Sequence, residues 1–200
     1  MAPDARRGQL LAAALRLFAE KGIGEARHSD LARAAGVAIP TVFHYFPSKP
    51  ELVQATLAEV SRFLLEEIVA PYEARAEPAP RVVEHILLAF CEAIDTHPDH
   101  IRVWLEWSVA LRAGLWDSYL GFYHAALGRI GTLLAQGKAA GAVDPDVREE
   151  HAARVIVGLA HMIAQMKFSG STRDEIRHTV HSLVHGYLEV PQRPESTPPS

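Results

Sequence analysis

Apolar positions recur at helical spacing along almost the whole chain. The first stripe is formed by residues three or four positions apart: Leu10, Ala14, Leu17 and Phe18. Gly22 and Gly24 follow this stripe and predict the end of a helix. Because no convincing run of alternating β-branched residues occurs, the pattern predicts an all-α fold without strands.

A short second helix is predicted before Gly36. Ser29 is a suitable N-cap residue, and the acidic Asp30 in the first turn favours a helix start at this point. We expect three apolar residues to bury this helix: Leu31, Ala34 and Ala35.

The stretch GVAIPTVFHYFPSKPEL, residues 36 to 52, predicts a third helix of barely two turns at about 39–46. Ser48 and Glu51 then have the spacing of a capping box, which predicts the start of a longer fourth helix. Pro71 is expected to end that helix.

Five longer helices are predicted in the remainder of the chain, at about 81–96, 99–113, 115–140, 147–168 and 172–188. The total is therefore nine. The predicted domains are a head at 1–50 with a connecting helix at 51–70, a body at 71–190 and a disordered Pro/Ser-rich tail at 191–200.

The composition is that of an ordinary globular protein, with 48% apolar and 22% charged residues in 200. The single cysteine, Cys91, allows no intrachain disulfide and is expected to be a small buried residue in a reducing cytoplasm. No signal-peptide pattern and no apolar run of membrane-spanning length occurs, so a cytoplasmic protein without a membrane span is predicted.

Charge is distributed unevenly along the chain. Residues 1–50 contain seven basic and four acidic side chains, a net charge of +3, whereas the remaining residues contain thirteen and twenty, a net charge of −7. A basic head on an acidic body is the asymmetry expected when only one end meets a polyanion.

The second and third helices, joined by a tight turn at Gly36, have the dimensions of a helix-turn-helix. In that motif the second helix enters the DNA major groove. We expect the anchoring side chains to be Val42, Phe43 and Phe46, and the exposed ones to be Thr41, His44 and Tyr45. Hydroxyl and imidazole groups suit phosphate oxygens and base edges. The alternative from spacing alone is a generic helical hairpin.

The segment HSDLARAAGVAIPTVFHYFPSKPELV, residues 28–53, resembles the DNA-binding signature of the TetR family of bacterial transcription regulators. The shared elements are an Ala-Gly-Val turn, a Thr-aromatic-Tyr-Phe helix and a Lys-x-x-Leu opening to the next helix. A narrower resemblance, to the HapR/SmcR/LuxR-type quorum-sensing regulators, rests on that helix, on GIG at 22–24 and on IRVWLEWSVALRAGLW at 101–116.

The resemblance implies a DNA-binding set that comprises Arg6, Arg7, Ser29, Ile39, Pro40, Thr41, His44, Tyr45 and Lys49. Thr41, Tyr45 and Lys49 would contact phosphates and His44 would face the groove. Arg6 and Arg7 would begin an arm near the minor groove. Ala38 departs from the family pattern, because a serine commonly caps the third helix there.

The body should supply a homodimer, because one head reads only a few base pairs of a palindromic operator. The predicted interface lies on the last two helices and comprises Val155, Leu159, Ile163, Val180, Leu183, Val184 and Tyr187. The alternative is that these stripes face the monomer's own core.

A pocket for a small apolar effector is predicted in the aromatic-rich body, as the family resemblance implies. Its expected lining is Phe63, Phe90, Trp104, Trp107, Trp116, Phe122, Met162, Gln165 and Met166. The alternative is that these residues are plain core.

Neither a metal nor a cofactor is predicted. His178, His181 and His185 could share one face of the last helix, but no nearby carboxylate or cysteine in the sequence completes a ligand set. Protonation of these histidines at mildly acidic pH is an alternative.

An enzyme is not predicted, because the sequence contains no nucleophile elbow, Gly-rich phosphate loop, HExxH or CxxC. The predicted function is a dimeric, sequence-specific transcription regulator, with repression as the family default. The alternatives are a quorum-sensing type of activator and repressor without an inducer, and a helical ligand-binding protein that has lost DNA binding.

Overall fold

The computed structural model describes residues 3–111 and 114–189, and this part of the chain contains nine helices and no strand. The helices are α1 (Pro3–Lys21), α2 (His28–Ala35), α3 (Ile39–Tyr45), α4 (Lys49–Arg62), α5 (Ala79–Thr96), α6 (Pro98–Ser108), α7 (Leu115–Ala139), α8 (Glu149–Phe168) and α9 (Arg173–Leu188). The all-α, nine-helix prediction is confirmed, and the predicted tail at 191–200 lies outside the described residues. None of the described helices is both long and apolar enough to cross a membrane.

The chain divides into two compact units. Unit 1 comprises the described parts of Met1–Pro71 and Glu92–Ala125, and unit 2 comprises Tyr72–Cys91 with the described part of Ala126–Ser200. The described residues between 92 and 125 thus belong to the same unit as the N-terminal helices.

The packing of α6 explains why it belongs to unit 1. Ile101, Trp104 and Trp107 are almost completely buried, and α6 contacts both α1 and α4. The Glu106 carboxylate also accepts the backbone N–H of Ile23, with N–O distances of 3.0 and 3.2 Å. The loop between α1 and α2 is thereby held by a side chain of α6.

Two predicted helix boundaries agree with the structure. Helix α1 ends at Lys21, and Gly22 follows in the left-handed region with φ of 92°. Ser48 is the N-cap of α4, and its hydroxyl oxygen accepts the N–H of Glu51 at 3.3 Å.

Three predicted boundaries are wrong. Helix α2 begins at His28, with Arg27 rather than Ser29 as its N-cap, because the Asp30 carboxylate accepts the Arg27 N–H at 3.2 Å. Helix α4 continues through a π-helical stretch, Phe63–Val69, into a last α-turn, Ala70–Glu73. Pro71 therefore lies inside a helix, where it removes one backbone donor without ending it.

The third wrong boundary is the end of α6, which stops at Ser108 instead of about residue 113. The N–H of Val109 bonds to the carbonyl groups of Glu106 and Trp107, which tightens the last turn. Residues 112–113 lie outside the described part of the chain.

Within unit 2, α7 approaches the start of α5 very closely at Gly137. A Cβ atom on Gly137 would lie 2.3 Å from the Ala79 Cβ and 2.9 Å from Cγ2 of Val143. Only glycine fits this contact without a shift of its neighbours.

Candidate nucleic-acid interface

The turn between α2 and α3 is built on Gly36. This residue adopts the left-handed conformation, with φ of 65° and ψ of 37°. The N–H of the following Val37 donates to the Ala32 carbonyl at 3.0 Å, which satisfies a free group at the end of α2. The chain then enters α3 at Ala38, whose side chain supplies no capping hydrogen bond, as the sequence predicts.

Helix α3 is anchored by two residues one helical turn apart. Val42 is 0% exposed and Phe46, which follows the last helical residue, is 2% exposed. Phe43 is 47% exposed, so the prediction that it anchors the helix from behind is wrong. The reason is that consecutive residues on an α-helix differ by about 100° in direction, which places Phe43 outside the stripe of Val42 and Phe46.

His28 is a structural residue of the site that sequence reasoning missed. Its ring stacks on Phe43, with 4.4 Å between centroids and 8° between planes. Its Nε2 lies 2.9 Å from the carbonyl oxygen of Phe46, to which it donates. The available signal was its position three residues before the buried Leu31, on the inward face of α2.

The polar side chains predicted to meet DNA lie on or near the surface of α3. His44 is exposed, and Thr41 and Tyr45 are half-buried. The Tyr45 ring meets the His44 ring edge-on at 5.1 Å between centroids. Ser29 and Pro40 are also exposed, and Ile39 is 45% exposed.

An open depression of about 310 Å³ lies between the starts of α2, α3 and α4. Its lining is Arg27, His28, Ser29, Ile39, Phe43 and Lys49. The depression therefore combines two apolar side chains with two cationic ones, a combination that suits the sugar-phosphate backbone of a nucleic acid.

The basic residues predicted to contact DNA already have protein partners. The Lys49 ammonium donates to the carbonyl oxygen of Gly24. Arg6 donates to Oε1 of Gln9 at 2.8 Å, and the Arg7 guanidinium carbon lies 5.5 Å from the Phe46 ring centroid. Arg6 and Arg7 belong to α1 and not to an extended arm, so that part of the prediction is wrong: the helix begins at Pro3.

The ionised carboxylate of Asp30 is paired with basic neighbours. Its hydrogen bond from Lys21, at 3.1 Å, is the main reason why the pKa of this carboxyl lies below its ordinary value; the Arg27 N–H and the charges of Lys21 and Arg33 act in the same direction, against the effect of burial. Its negative charge is therefore paired within the head, which reduces repulsion of a polyanion.

The residues predicted to form an effector pocket are distributed over both units. Unit 1 contains Phe63, Trp104, Trp107, Trp116 and Phe122, and unit 2 contains Phe90, Met162, Gln165 and Met166. In unit 1 the Trp107 ring lies 5.6 Å from those of Tyr119 and Phe122, and its Nε1 donates to the Leu115 carbonyl at 3.0 Å.

The predicted dimer residues divide into buried and exposed sets within unit 2. Ile163, Val180 and Val184 are at most 1% exposed, so they belong to the core of the unit and their assignment to an outer face is wrong. The exposed set is Val155 at 46%, Leu183 at 43% and Tyr187 at 41%, with Leu159 half-buried. An apolar face of α8 and α9 is therefore left open.

Helices α2 and α3, their glycine turn and the exposed polar side chains define a helix-turn-helix DNA-binding protein. The family model for bacterial regulatory proteins of the tetR family matches residues 10–56. The HTH-type transcriptional regulator LuxR of Vibrio harveyi is 30% identical over 195 residues, which cover 95% of this chain and 90% of that protein. The chain belongs to the TetR family of bacterial transcriptional regulators.

Solved structures share the whole fold. A transcriptional regulator from Saccharomonospora viridis in complex with choline has a TM-score of 0.79 at 22% identity, covering 94% of this chain and all of the other. The regulator FadR from Bacillus subtilis in complex with stearoyl-CoA has a TM-score of 0.76 at 19% identity, covering 88% and 96%. The resemblance to the TetR family inferred from residues 28–53 is confirmed by the family model and by the similarity to LuxR.

Proposed function

We propose that this chain acts in the cytoplasm as a homodimeric regulator that reads a palindromic operator with α3 and responds to a small apolar effector. The observation that carries the proposal is the position of His44, exposed on a short helix that Val42 and Phe46 fix to the core. A fixed backbone and a free polar face are what groove recognition requires.

Each side chain of the interface has an assigned role in this proposal. His44 donates to an acceptor on a base edge in the major groove. Thr41 and Tyr45 donate their hydroxyl protons to phosphate oxygens, and Ser29 and Lys49 contact phosphate at the starts of α2 and α4.

The apolar residues Ile39, Pro40 and Phe43 contact sugars or thymine methyl groups beside these polar contacts. Arg6 and Arg7 add positive charge from the first turns of α1.

The dimer forms through the open face of α8 and α9. Val155, Leu183 and Tyr187 become buried there against the same residues of a second copy, as a twofold interface requires. Two heads then contact half-sites about one helical turn of DNA apart.

The effector acts by binding one dimer geometry better than the other. Two structural relatives hold ligands, stearoyl-CoA in one and choline in the other, and this supports regulation by a small molecule. Release from the operator on ligand binding is the mode proposed. The alternative is a regulator that activates and represses without an inducer, as the resemblance to quorum-sensing regulators at residues 101–116 implies.

The test is a selection of bound fragments from sheared genomic DNA of the source organism at near-physiological salt. We expect a palindrome with half-sites about ten base pairs apart. His44→Ala combined with Tyr45→Ala should abolish binding to that palindrome with an unchanged helical CD spectrum. His124→Ala, an exposed histidine on α7, is the control. Unchanged operator affinity of the double variant would refute the assignment of α3.

A further inference from the structure

Three side chains of the kinds that bind transition metals meet between α5 and α9. Glu84, on α5, is only 6% exposed. Its Oε1 lies 3.2 Å from Nδ1 of His181, and its Oε2 lies 2.9 Å from Nε2 of His185. One ligand atom from each of the three residues lies within 4.8 Å of the others.

His185 is held between two carboxylates. Its Nδ1 lies 2.6 Å from Oε1 of Glu189, while its Nε2 faces Glu84. An ionised carboxylate only accepts hydrogen bonds, and a neutral imidazole carries a single N–H. The ring nitrogen without an N–H would therefore face a carboxylate oxygen with no hydrogen between them. This contact is favourable only when an additional proton or a metal cation lies between the two atoms.

The burial of Glu84 favours a positively charged neighbour. Its carboxylate is largely removed from water, and a buried carboxylate is stable only when it is paired or binds a metal. The two imidazoles that reach its oxygens are ligands that such a metal can share with it.

We propose that Glu84, His181 and His185 form a transition-metal site that takes Zn²⁺. Imidazole and carboxylate ligands suit this ion, and tetrahedral coordination at its usual bond lengths places ligand atoms about 3.3 Å apart. The observed separations start from different oxygens of Glu84, 3.2 Å from Oε1 to Nδ1 of His181 and 2.9 Å from Oε2 to Nε2 of His185. Small rotations of these side chains bring one Glu84 oxygen and both nitrogens around a single ion, because one ligand atom of each residue already lies within 4.8 Å of the others. The ion replaces protons between the side chains, and a water molecule completes its coordination.

Glu189 has a different role in this site. It keeps a proton on Nδ1 of His185, which leaves the Nε2 lone pair directed at the metal. Carboxylates that hydrogen-bond the second nitrogen of a metal-binding histidine fix its tautomer and orientation, and their loss usually weakens metal affinity 10- to 100-fold. Glu189 is therefore a positioning residue.

A metal at this site would cross-link α5 to α9 inside unit 2. Helix α9 also carries Leu183 and Tyr187, which belong to the open apolar face. Because the three ligands converge only in the folded chain, metal binding should stabilise the folded state.

The test uses the full chain without an affinity tag. Zn²⁺ is titrated into metal-free protein by calorimetry against a competing chelator, and thermal unfolding is followed with and without the ion. We expect one Zn²⁺ per chain and a higher Tm when the ion is bound. Glu84→Gln and His185→Ala should each lose this binding, and Glu189→Gln should weaken it 10- to 100-fold.

The control is His178→Ala, which removes an exposed histidine of the same helix that lies outside the cluster. It should leave the affinity unchanged. If Glu84→Gln or His185→Ala unfolds, His181→Ala replaces it, because the His181 side chain is 51% exposed. The proposal is overturned if the native chain shows no saturable one-to-one binding, or if the folded cluster variants bind Zn²⁺ as His178→Ala does.

Discussion

The imidazole of His28 lies flat against the phenyl ring of Phe43, with 4.4 Å between ring centroids and 8° between ring planes. The same imidazole donates to the carbonyl oxygen of Phe46 at 2.9 Å. A single side chain at the start of α2 thus contacts both the exposed side of α3 and the residue at which α3 ends. The position of the proposed recognition helix depends on it.

Removal of this side chain should destabilise unit 1. His28→Ala deprives the Phe46 carbonyl of its buried donor, so we expect a loss of about 1–3 kcal/mol in the free energy of unfolding. Phe43→Leu retains the hydrogen bond and loses only the ring contact, which predicts a loss of about 0.5–1.5 kcal/mol. Urea denaturation of both variants measures the difference. Equal losses of stability in the two variants would show that the hydrogen bond from His28 contributes nothing to the free energy of unfolding.

Lys49 permits a test that separates phosphate contact from structural support. Its ammonium donates to the Gly24 carbonyl, so Lys49→Met should reduce stability to some extent in either case. If Lys49 also contacts a phosphate, the slope of log affinity against log salt should become shallower by about 0.9. Operator affinity measured at four or five salt concentrations gives the slope. An unchanged slope would restrict Lys49 to its structural role.

Substitution by alanine should lower the stability of the fold at one glycine of α7 and raise it at another. Gly137→Ala places a Cβ atom 2.3 Å from that of Ala79, and overpacking of this kind costs about 1–3 kcal/mol. Nothing lies within 4 Å of the corresponding position at Gly128, so Gly128→Ala should stabilise the helix by about 0.5–1 kcal/mol. Thermal unfolding of the pair is the measurement. A stable Gly137→Ala variant would contradict the close approach.

A charge on the open face of α8 and α9 should prevent dimer formation. Leu183 is 43% exposed within the monomer, so Leu183→Glu should leave the fold intact and shift the mass from dimer to monomer. Size-exclusion chromatography with light scattering measures the mass. Val109→Glu, at an apolar residue of unit 1 that is 70% exposed, is the control and should remain dimeric. A Leu183→Glu dimer would place the interface elsewhere.

Stability should fall at mildly acidic pH in part because of His100. Burial is the main reason why the pKa of His100 lies below its ordinary value of 6.5, and the charge of His97 lowers it further, against weaker opposing effects of nearby acids. The unfolded chain therefore binds this proton more readily than the folded chain does. The contribution of the neutral His100 to the free energy of unfolding is complete above pH 6.5. It is lost as the pH falls from 6.5 through the pKa of His100 in the folded chain.

Denaturation at pH 7.5 and 5.5 tests this prediction. His100→Asn should show a smaller loss of stability between the two values than the native chain. His124→Asn, an exposed histidine of unit 1, should retain the native pH dependence. An unaltered dependence in His100→Asn would rule out this residue as the cause.

Local signals in the sequence were sufficient for most of the DNA-binding head. Gly22 and Ser48 mark helix boundaries through groups within four residues of themselves, and these predictions agree with the structure. Val42 and Phe46 are anchors at helical spacing, as expected. The misplacement of Phe43 had a local cause as well, since its direction follows from the helical period.

Other features depend on tertiary contacts that no sequence pattern reveals. Glu84 lies about a hundred positions before the histidines that it contacts, so the ligand set could not be recognised from the spacing of His178, His181 and His185. On α9, Val180 and Leu183 belong to one apolar stripe, but the first is buried and the second is exposed. Periodicity identifies an apolar surface without indicating whether it packs against the same chain or another.

The hydrogen bond from the Ile23 N–H to the Glu106 carboxylate shows that the DNA-binding segment depends on α6 for part of its stability. Release of a backbone N–H from a carboxylate of this kind costs about 1.5–3 kcal/mol. The loop that leads into α2 is consequently held by a residue 83 positions further along the chain. A fragment truncated after residue 71, or residues 28–46 grafted onto a foreign scaffold, would lose this restraint together with the buried face of α6. A DNA-binding fragment that retains this hydrogen bond and the buried face of α6 therefore has to extend at least to Ser108.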